Sequence, residues 1–228
     1  MTASTALDRG MTAMLESWRE RLAAGEKRIG WKIGLNLPAV QEALGLSHPV
    51  VGYLTSSGLL DSGASFSIGD STRLSAEPEI AVRVGVDVPG DAGQAAARAA
   101  IESVAPAIEV VDIDRPLDDL SAILAGNVFH RAVVLGPTSP PAWETLTTVE
   151  VRLDRDGDKE AATNPQAGDE VVEMVTVVAD LLARFGERLQ AGDTIITGAL
   201  TRAIRVEAGD HVTATIDPLG SVALRFEP

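Results

Sequence analysis

The apolar run PAIEVVDI, residues 106–113, contains a single glutamate, Glu109. Because side chains alternate along a strand, Val111 would share the face of Glu109, whereas Ile108 and Val110 would occupy the other face. A strand that is apolar on both faces is typical of a sheet covered on both sides. An isolated ionised carboxylate is unfavourable there unless a cation compensates it. No lysine or arginine lies beside Glu109 in the sequence, so we expect its partner to come from elsewhere in the fold.

A second strand pattern, LSAEPEIAVRV at residues 74–84, carries Glu77 and Glu79 one residue apart. Both would point to the same face, where two like charges repel each other. Three carboxylates on adjacent strands, without His or Cys, favour a hard divalent cation such as Mg²⁺ or Mn²⁺. The alternative is that Glu77 and Glu79 form a solvated strand face and that Glu109 is a paired core acid. The residue pattern alone leaves both interpretations open.

Composition limits the classes of protein that remain. The 228 residues, 45% of them hydrophobic, can form a sizeable core, and no linker divides them, so we predict a single domain over residues 1–228. A formal net charge of −14 argues against a nucleic-acid partner, which requires clustered Lys and Arg. The absence of cysteine excludes disulfides and thiolate zinc sites. Neither an apolar run long enough to span a membrane nor a signal-peptide pattern occurs, so we expect a cytoplasmic protein without membrane contact.

Strand patterns outnumber helix patterns, and their order is irregular. This favours an α+β or mostly β domain over a doubly wound sheet. Helices are predicted at residues 11–24, within an N-terminal helical segment that spans residues 1–26, and at 36–45, 90–105 and 168–189. Strands are predicted at residues 29–35, 79–88, 106–113, 130–136, 147–155, 194–200, 204–216 and 221–226, and a strand followed by a turn is predicted at residues 49–60.

Several other residues are candidates for chemistry, each with a structural alternative. Lys32, in GWKIGL, could serve as an acid or base if burial lowers its pKa, although most such lysines extend to solvent. Thr197, in ITGAL, could offer its hydroxyl to an anion, or could simply mark the end of a strand. His130, in AGNVFHRAVVLG, is accompanied by Asn127, but the pattern favours an ordinary histidine at the start of a strand. No dinucleotide fingerprint, phosphate-binding loop or serine-nucleophile elbow is present.

Six segments in order resemble one family: GWKIGL, AEPEIAV, AIEVVD, AGNVFHRAVVLG, AGDTIITGAL and LGSVALRF. They are similar to the 2-oxopent-4-enoate hydratases and 4-oxalocrotonate decarboxylases, a branch of the fumarylacetoacetate hydrolase superfamily. The resemblance extends from Ala24 to Phe226. It implies a mixed β-roll with a few peripheral helices and a Mg²⁺- or Mn²⁺-dependent enzyme. The family's metal ligands correspond to Glu77, Glu79 and Glu109, and its active-site lysine corresponds to Lys32.

Two segments depart from the family pattern. Leu35, Asn36 and Leu37 stand where the family commonly has GLTS after the lysine strand. The family's ADNxSS segment is AGNVFH here, so that Gly126 replaces an Asp, and Phe129 and His130 replace two serines. These positions lie near the substrate in the family, so the resemblance implies a rebuilt pocket. Its predicted substrate-binding residues are Leu35, Asn127, His130 and Thr197.

The resemblance implies a hydratase that adds water to a small 2-hydroxy-2,4-dienoate of the 2-oxopent-4-enoate type in the breakdown of aromatic compounds. A 4-oxalocrotonate decarboxylase is the alternative with the same site. An acylpyruvate hydrolase is a more distant alternative, since that branch uses an Asp as third ligand. A further alternative is not an enzyme but a catalytically silent subunit that only binds. The family also implies a homo-oligomer and a complex between decarboxylase and hydratase.

Overall fold

A computed structural model describes residues 3–164 and 166–228, which contain five α-helices and thirteen β-strands. The helices are α1 (Ala3–Ala23), α2 (Pro38–Leu44), α3 (Gly93–Ala100), α4 (Leu120–Ala125) and α5 (Ala167–Arg184). The first strands are β1 (Arg28–Gly34), β2 (Val50–Thr55), β3 (Leu59–Asp61), β4 (Ser65–Ser67), β5 (Leu74–Val84), β6 (Ile101–Asp112) and β7 (His130–Leu135). The others are β8 (Val149–Arg155), β9 (Asp158–Asn164), β10 (Thr194–Ile196), β11 (Ile204–Arg205), β12 (His211–Asp217) and β13 (Gly220–Glu227).

The strands form two mixed sheets. The larger has the order β2-β1-β10-β5-β6-β7-β3, with β11 paired to β5, and the smaller has the order β4-β13-β12-β8-β9. Leu54 on β2 and Val133 on β7 lie far apart in the larger sheet yet belong to one apolar cluster, because the sheet is curled. The predicted α+β roll with a few peripheral helices is confirmed.

The curled sheet has different neighbours on its two faces. Its outer face packs against α1 and α5 through side chains such as Trp31 and Val82, and against the smaller sheet through Ile108 and Val110. The inner face carries a small apolar cluster that includes Ala107. The glutamates predicted to form a site share this inner face, because side chains alternate along β5 and β6.

Several predicted boundaries are wrong. Helix α3 ends at Ala100 rather than at residue 105, since Ser103 and Val104 pair with β5 and sheet pairing overrides the alanine-rich helix pattern. The strand pattern at residues 74–84 matches β5, Leu74–Val84, whereas the predicted extension of this strand to residue 88 is wrong. Other misplaced ends are the start of α1, which lies at Ala3 rather than 11, the end of α5 at Arg184 rather than 189, and the end of β10 at Ile196 rather than 200. Strands β4 and β9 were not predicted at all, and the single strand predicted for residues 204–216 is divided into β11 and β12.

An ion pair joins β1 to the turn before β10. The buried Asp193 carboxylate accepts hydrogen bonds from Arg28 Nε at 2.6 Å, from the Trp31 indole at 3.1 Å and from the backbone N–H of Gln190 at 2.9 Å. Replacing Asp193 with alanine should lower the free energy of unfolding by about 3 kcal/mol, because it leaves buried donors without an acceptor. Urea unfolding would measure this, with the exposed Asp61→Ala as the matched control. Equal stability of the two variants would contradict the assignment.

None of the helices in the described part of the chain is long and apolar enough to cross a membrane.

Candidate active site

The three predicted glutamates come together on the inner face of the curled sheet. Strands β5 and β6 are antiparallel, and their register places Glu77 directly opposite Glu109 and Glu79 opposite Ala107. One carboxylate oxygen from each of the three glutamates lies within 4.8 Å of the others. Glu79 and Glu109 are fully buried and Glu77 is half-buried. Glu77 and Glu79 are therefore not a solvated strand face.

The hydrogen bonds of the cluster leave two oxygens unused. Glu79 Oε2 accepts a bond of 2.7 Å from the backbone N–H of Gly198. Glu109 Oε1 lies 2.7 Å from both Lys32 Nζ and His130 Nδ1, so Glu109 is paired as the alternative interpretation required. Glu79 Oε1 and Glu109 Oε2 nevertheless have no hydrogen-bond partner among the described residues. A buried oxygen without a hydrogen-bond partner is energetically unfavourable. Carboxylate oxygens are ligands that a hard divalent cation prefers, so a bound cation would satisfy both atoms.

The electrostatics of the cluster support the same conclusion. Burial, followed by the nearby charge of Glu109, raises the pKa of Glu77 to about 7. The same two causes raise the pKa of Glu79 well above its usual value. Burial also acts to raise the pKa of Glu109, but Lys32 and His130 outweigh it, and the Glu109 pKa is lowered. The single positive charge of Lys32 cannot balance three close carboxylates, so a further cation in the site would be electrostatically favourable.

Lys32 is the buried cation of the site. It lies on β1 opposite Gly52 of β2, and its ammonium also donates to the Val128 carbonyl at 3.1 Å. A Cβ atom at Gly52 would stand 3.0 Å from Lys32 Cγ and 2.6 Å from Asn127 Oδ1, so only glycine leaves room for the lysine. The Lys32 side chain therefore does not extend to solvent, as most strand lysines do.

A strained turn before β7 holds the lysine's second acceptor. Asn127, Val128 and Phe129 all have left-handed φ values, of 56°, 52° and 66°. A β-branched residue such as Val128 is rare in that region, and strain of this kind concentrates at functional sites. The Asn127 side chain fixes the turn, since its Oδ1 accepts from the backbone N–H of Tyr53 at 2.8 Å and its Nδ2 donates to the Tyr53 carbonyl at 3.0 Å. The turn thereby presents the Val128 carbonyl to Lys32.

A cavity of about 560 Å³ opens onto this cluster. Lys32 and Glu77 are among the polar residues that line it, and Leu35, one of the predicted substrate-binding residues, is part of a mostly apolar wall. Residues that line it and were not singled out from the sequence include Val111, Leu117, Leu200 and Arg202. The sequence signal for Arg202 is a basic residue shortly after the apolar strand β10, and it could have marked this position as a candidate.

The other predicted substrate-binding residues line smaller neighbouring cavities. Asn127 and His130 line one of about 260 Å³, and Thr197 lines one of about 80 Å³. The Thr197 hydroxyl donates to the Ile80 carbonyl at 2.9 Å, and both polar atoms of the Asn127 amide are bound to Tyr53. His130 touches the site through Glu109. The structure thus brings Lys32, the glutamates, Leu35 and His130 together, and it places Asn127 and Thr197 at the edges.

The fold and the site can now be compared with known proteins. The features to compare are the curled mixed sheet, the buried cluster of three glutamates and the buried lysine. Residues 31–227 match the model of the fumarylacetoacetate (FAA) hydrolase C-terminal family, and the chain belongs to that family. It is an enzyme of this family, as the six sequence segments predicted.

Its relatives include both expected activities. A 4-oxalocrotonate decarboxylase of Pseudomonas sp. is 28% identical over 89% of this chain and 80% of its own length. A 2-hydroxyhexa-2,4-dienoate hydratase of Comamonas testosteroni is 30% identical over 93% of this chain and 83% of its own length. The structure of 4-oxalocrotonate decarboxylase from Pseudomonas putida G7, complexed with magnesium and adipate, has a TM-score of 0.87 at 28% identity and covers 99% of this chain and 86% of that one.

Proposed function

We propose that Glu77, Glu79 and Glu109 bind Mg²⁺ or Mn²⁺ and that the enzyme adds water to a small 2-hydroxy-2,4-dienoate to give a 4-hydroxy-2-oxo acid. The observation that carries the proposal is the buried cluster of three carboxylates, with two oxygens unpartnered among the described residues, beside a buried lysine. An all-oxygen donor set suits a hard divalent cation. The relatives named as hydratases and the magnesium-containing neighbour support the proposal.

The parts of the site have separable tasks. A bound cation would act as a Lewis acid toward the substrate's carboxylate and 2-oxygen. The Lys32 ammonium has three N–H donors and uses two, on Glu109 and Val128, so one remains for the substrate in the cavity that Lys32 lines. We assign Lys32 the transfer of protons to and from the substrate carbons. The overall reaction adds the hydroxyl of water at C4 and returns protons to C3 and C5 as the 2-hydroxyl becomes a ketone.

Decarboxylation is the second candidate reaction. It is supported by the likeness to a 4-oxalocrotonate decarboxylase over 99% of this chain. The same withdrawal of electrons toward the 2-oxygen would accept the pair released when a distal carboxylate leaves as CO₂. The two reactions therefore differ in substrate and product rather than in the residues that carry out the chemistry.

A direct assay distinguishes the reactions. The purified protein is incubated with 2-hydroxypenta-2,4-dienoate and separately with 2-oxohex-3-enedioate, each with Mg²⁺ or with EDTA. Ultraviolet absorbance follows the loss of conjugation, and mass spectrometry identifies a product that has gained water or lost CO₂. Metal-dependent gain of water supports the proposal. If the protein binds metal but transforms neither substrate, the silent-subunit alternative replaces it.

Metal affinity should depend on pH in a defined direction. Glu77, with a pKa of about 7, and Glu79, whose pKa is also raised, must lose protons before both can ligate a cation. Affinity for Mn²⁺ should therefore rise from pH 5.5 to pH 8, by about tenfold per pH unit for each proton released. Titration calorimetry in buffers of different ionisation enthalpy would count those protons. A flat profile with no proton release would contradict the assignment of these ligands.

The remaining expectations concern assembly and location. We propose a homo-oligomer, an association with a partner decarboxylase or hydratase, and a cytoplasmic enzyme of aromatic catabolism, on the grounds of family resemblance. Light scattering of the purified protein, alone and mixed with such a partner, would test the first two.

A further inference from the structure

The cavity has a second basic residue besides Lys32. Arg202 lines the same space as Lys32 and Glu77, in a wall that is otherwise built largely from apolar side chains such as Val111 and Leu117. Apolar cavities with a few placed polar groups are typical of small-molecule sites, where the polar groups fix the ligand's orientation. The position and the bonding of Arg202 therefore bear on what the cavity accepts.

A bulge in the chain places Arg202 beside the acidic cluster. The segment after β10 follows β5, with the N–H of Leu200 bonded to the Pro78 carbonyl at 2.9 Å and Ile204 paired with Ala76. Residues 201–203 thus lie between two fixed points on β5 that are separated by Glu77 alone. Three residues opposite one cannot continue the pairing, so they leave the sheet and line the cavity next to that glutamate.

The charge of Arg202 is available to a ligand. Lys32 is held by Glu109, whereas within residues 3–164 and 166–228 the Arg202 guanidinium makes neither an ion pair nor a hydrogen bond. Arg202 is exposed, so solvent rather than protein satisfies its donors. A guanidinium binds a carboxylate through two parallel hydrogen bonds, and burial of that pair under a ligand strengthens it.

We propose that Arg202 binds a second carboxylate on the substrate, so that the site selects dicarboxylic 2-oxo or 2-hydroxy acids over monocarboxylic ones. This inference rests on the proposed function, in which the substrate's first carboxylate lies at the glutamate end of the cavity. The backbone of Arg202 lies next to Glu77, but its side chain is exposed whereas Glu79 and Glu109 are fully buried. The carbon chain between the two carboxylates then packs against the apolar wall, and Arg202 binds the second carboxylate on the solvent side of the cavity.

Two saturated acids of equal length test the assignment without any turnover. Binding of adipate and of hexanoate, which differ by one carboxylate, is measured by calorimetry with and without Mg²⁺. The wild type should bind adipate about 10- to 100-fold more tightly than hexanoate, which is the range for a hydrogen-bonded charge pair. Arg202→Gln should remove this difference, and Arg202→Lys should retain part of it. Arg225→Gln, which removes an exposed arginine of β13 outside the cavity, should retain all of it.

The outcomes separate this inference from the proposed function. Equal binding of the two acids by the wild type, or an adipate preference that survives Arg202→Gln, would overturn the role of Arg202. An adipate preference that depends on Arg202, together with affinities for both acids that do not change when Mg²⁺ is added, would support the arginine and contradict the metal site. In turnover assays, Arg202→Gln should lower the ratio of kcat/KM for 2-oxohex-3-enedioate to kcat/KM for 2-hydroxypenta-2,4-dienoate by about 10- to 100-fold.

Discussion

Replacing Glu79 with glutamine is expected to abolish divalent metal binding and metal-dependent activity while leaving the metal-free protein at least as stable as the wild type. Glu79 is fully buried, one of its oxygens is unpartnered among the described residues, and its pKa is raised well above the usual value. The amide has the same shape and can still accept the hydrogen bond from Gly198. It removes a ligand charge from the cluster and relieves the repulsion among three close carboxylates.

The expected effects are large and of opposite sign. Activity should fall by about 10³-fold or more, because Lewis-acid catalysis contributes several kcal/mol to stabilisation of the transition state. Urea unfolding at pH 8 without metal should show unchanged or higher stability, since a group with a raised pKa destabilises the fold as pH rises above its unfolded value. Glu102→Gln, which removes an exposed glutamate of the same charge, is the matched control. Undiminished metal-dependent turnover in the Glu79 variant would refute the metal site.

The acidic cluster could be predicted from the sequence because it depends on strand periodicity. Glu77 and Glu79 share a face wherever β5 is a strand, and Glu109 lies within a run that only a buried strand explains. Adjacent strands in register then place the three side chains together. Strand periodicity made the cluster a candidate but left the solvated-face alternative open, and the family resemblance and then the observed burial removed that alternative.

The partners of the cluster depend on longer-range geometry. Lys32 on β1 and Glu109 on β6 are separated by β10 and β5, so their side chains meet only because the sheet is curled, and local patterns specify neither the strand order nor the curl. The acceptor for Lys32 lies in three consecutive left-handed residues, none of them glycine, so the usual signal for such a turn is absent. Arg202 lies in a bulge that exists only because the chain pairs with β5 on either side of it. The bonding of His130 to Glu109 was missed for the same reason.

Replacing Lys32 with methionine should destabilise the metal-free protein by about 3 kcal/mol at pH 8, because it leaves a buried carboxylate without its cation. Lys32 and Glu109 are 2.7 Å apart and both are almost inaccessible to solvent. In the wild type the lowered pKa of Glu109 stabilises the fold at every pH above the unfolded value near 4.5. Without Lys32, burial raises that pKa, and the carboxyl can remain neutral at low pH. The loss of stability should therefore be smaller at pH 5 than at pH 8.

Metal should compensate the same variant in stability but not in catalysis. A cation bound to the glutamates supplies the missing positive charge, so saturating Mg²⁺ should recover much of the lost stability through ligand linkage. Activity should remain about 10²- to 10⁴-fold below the wild type, since the proton-transfer group is absent. Lys159→Met, which removes an exposed lysine paired with Asp154, should change neither quantity appreciably. If Lys32→Met were as active as the wild type in Mg²⁺, the lysine would serve only to balance charge, and proton transfer would have to be assigned to another group.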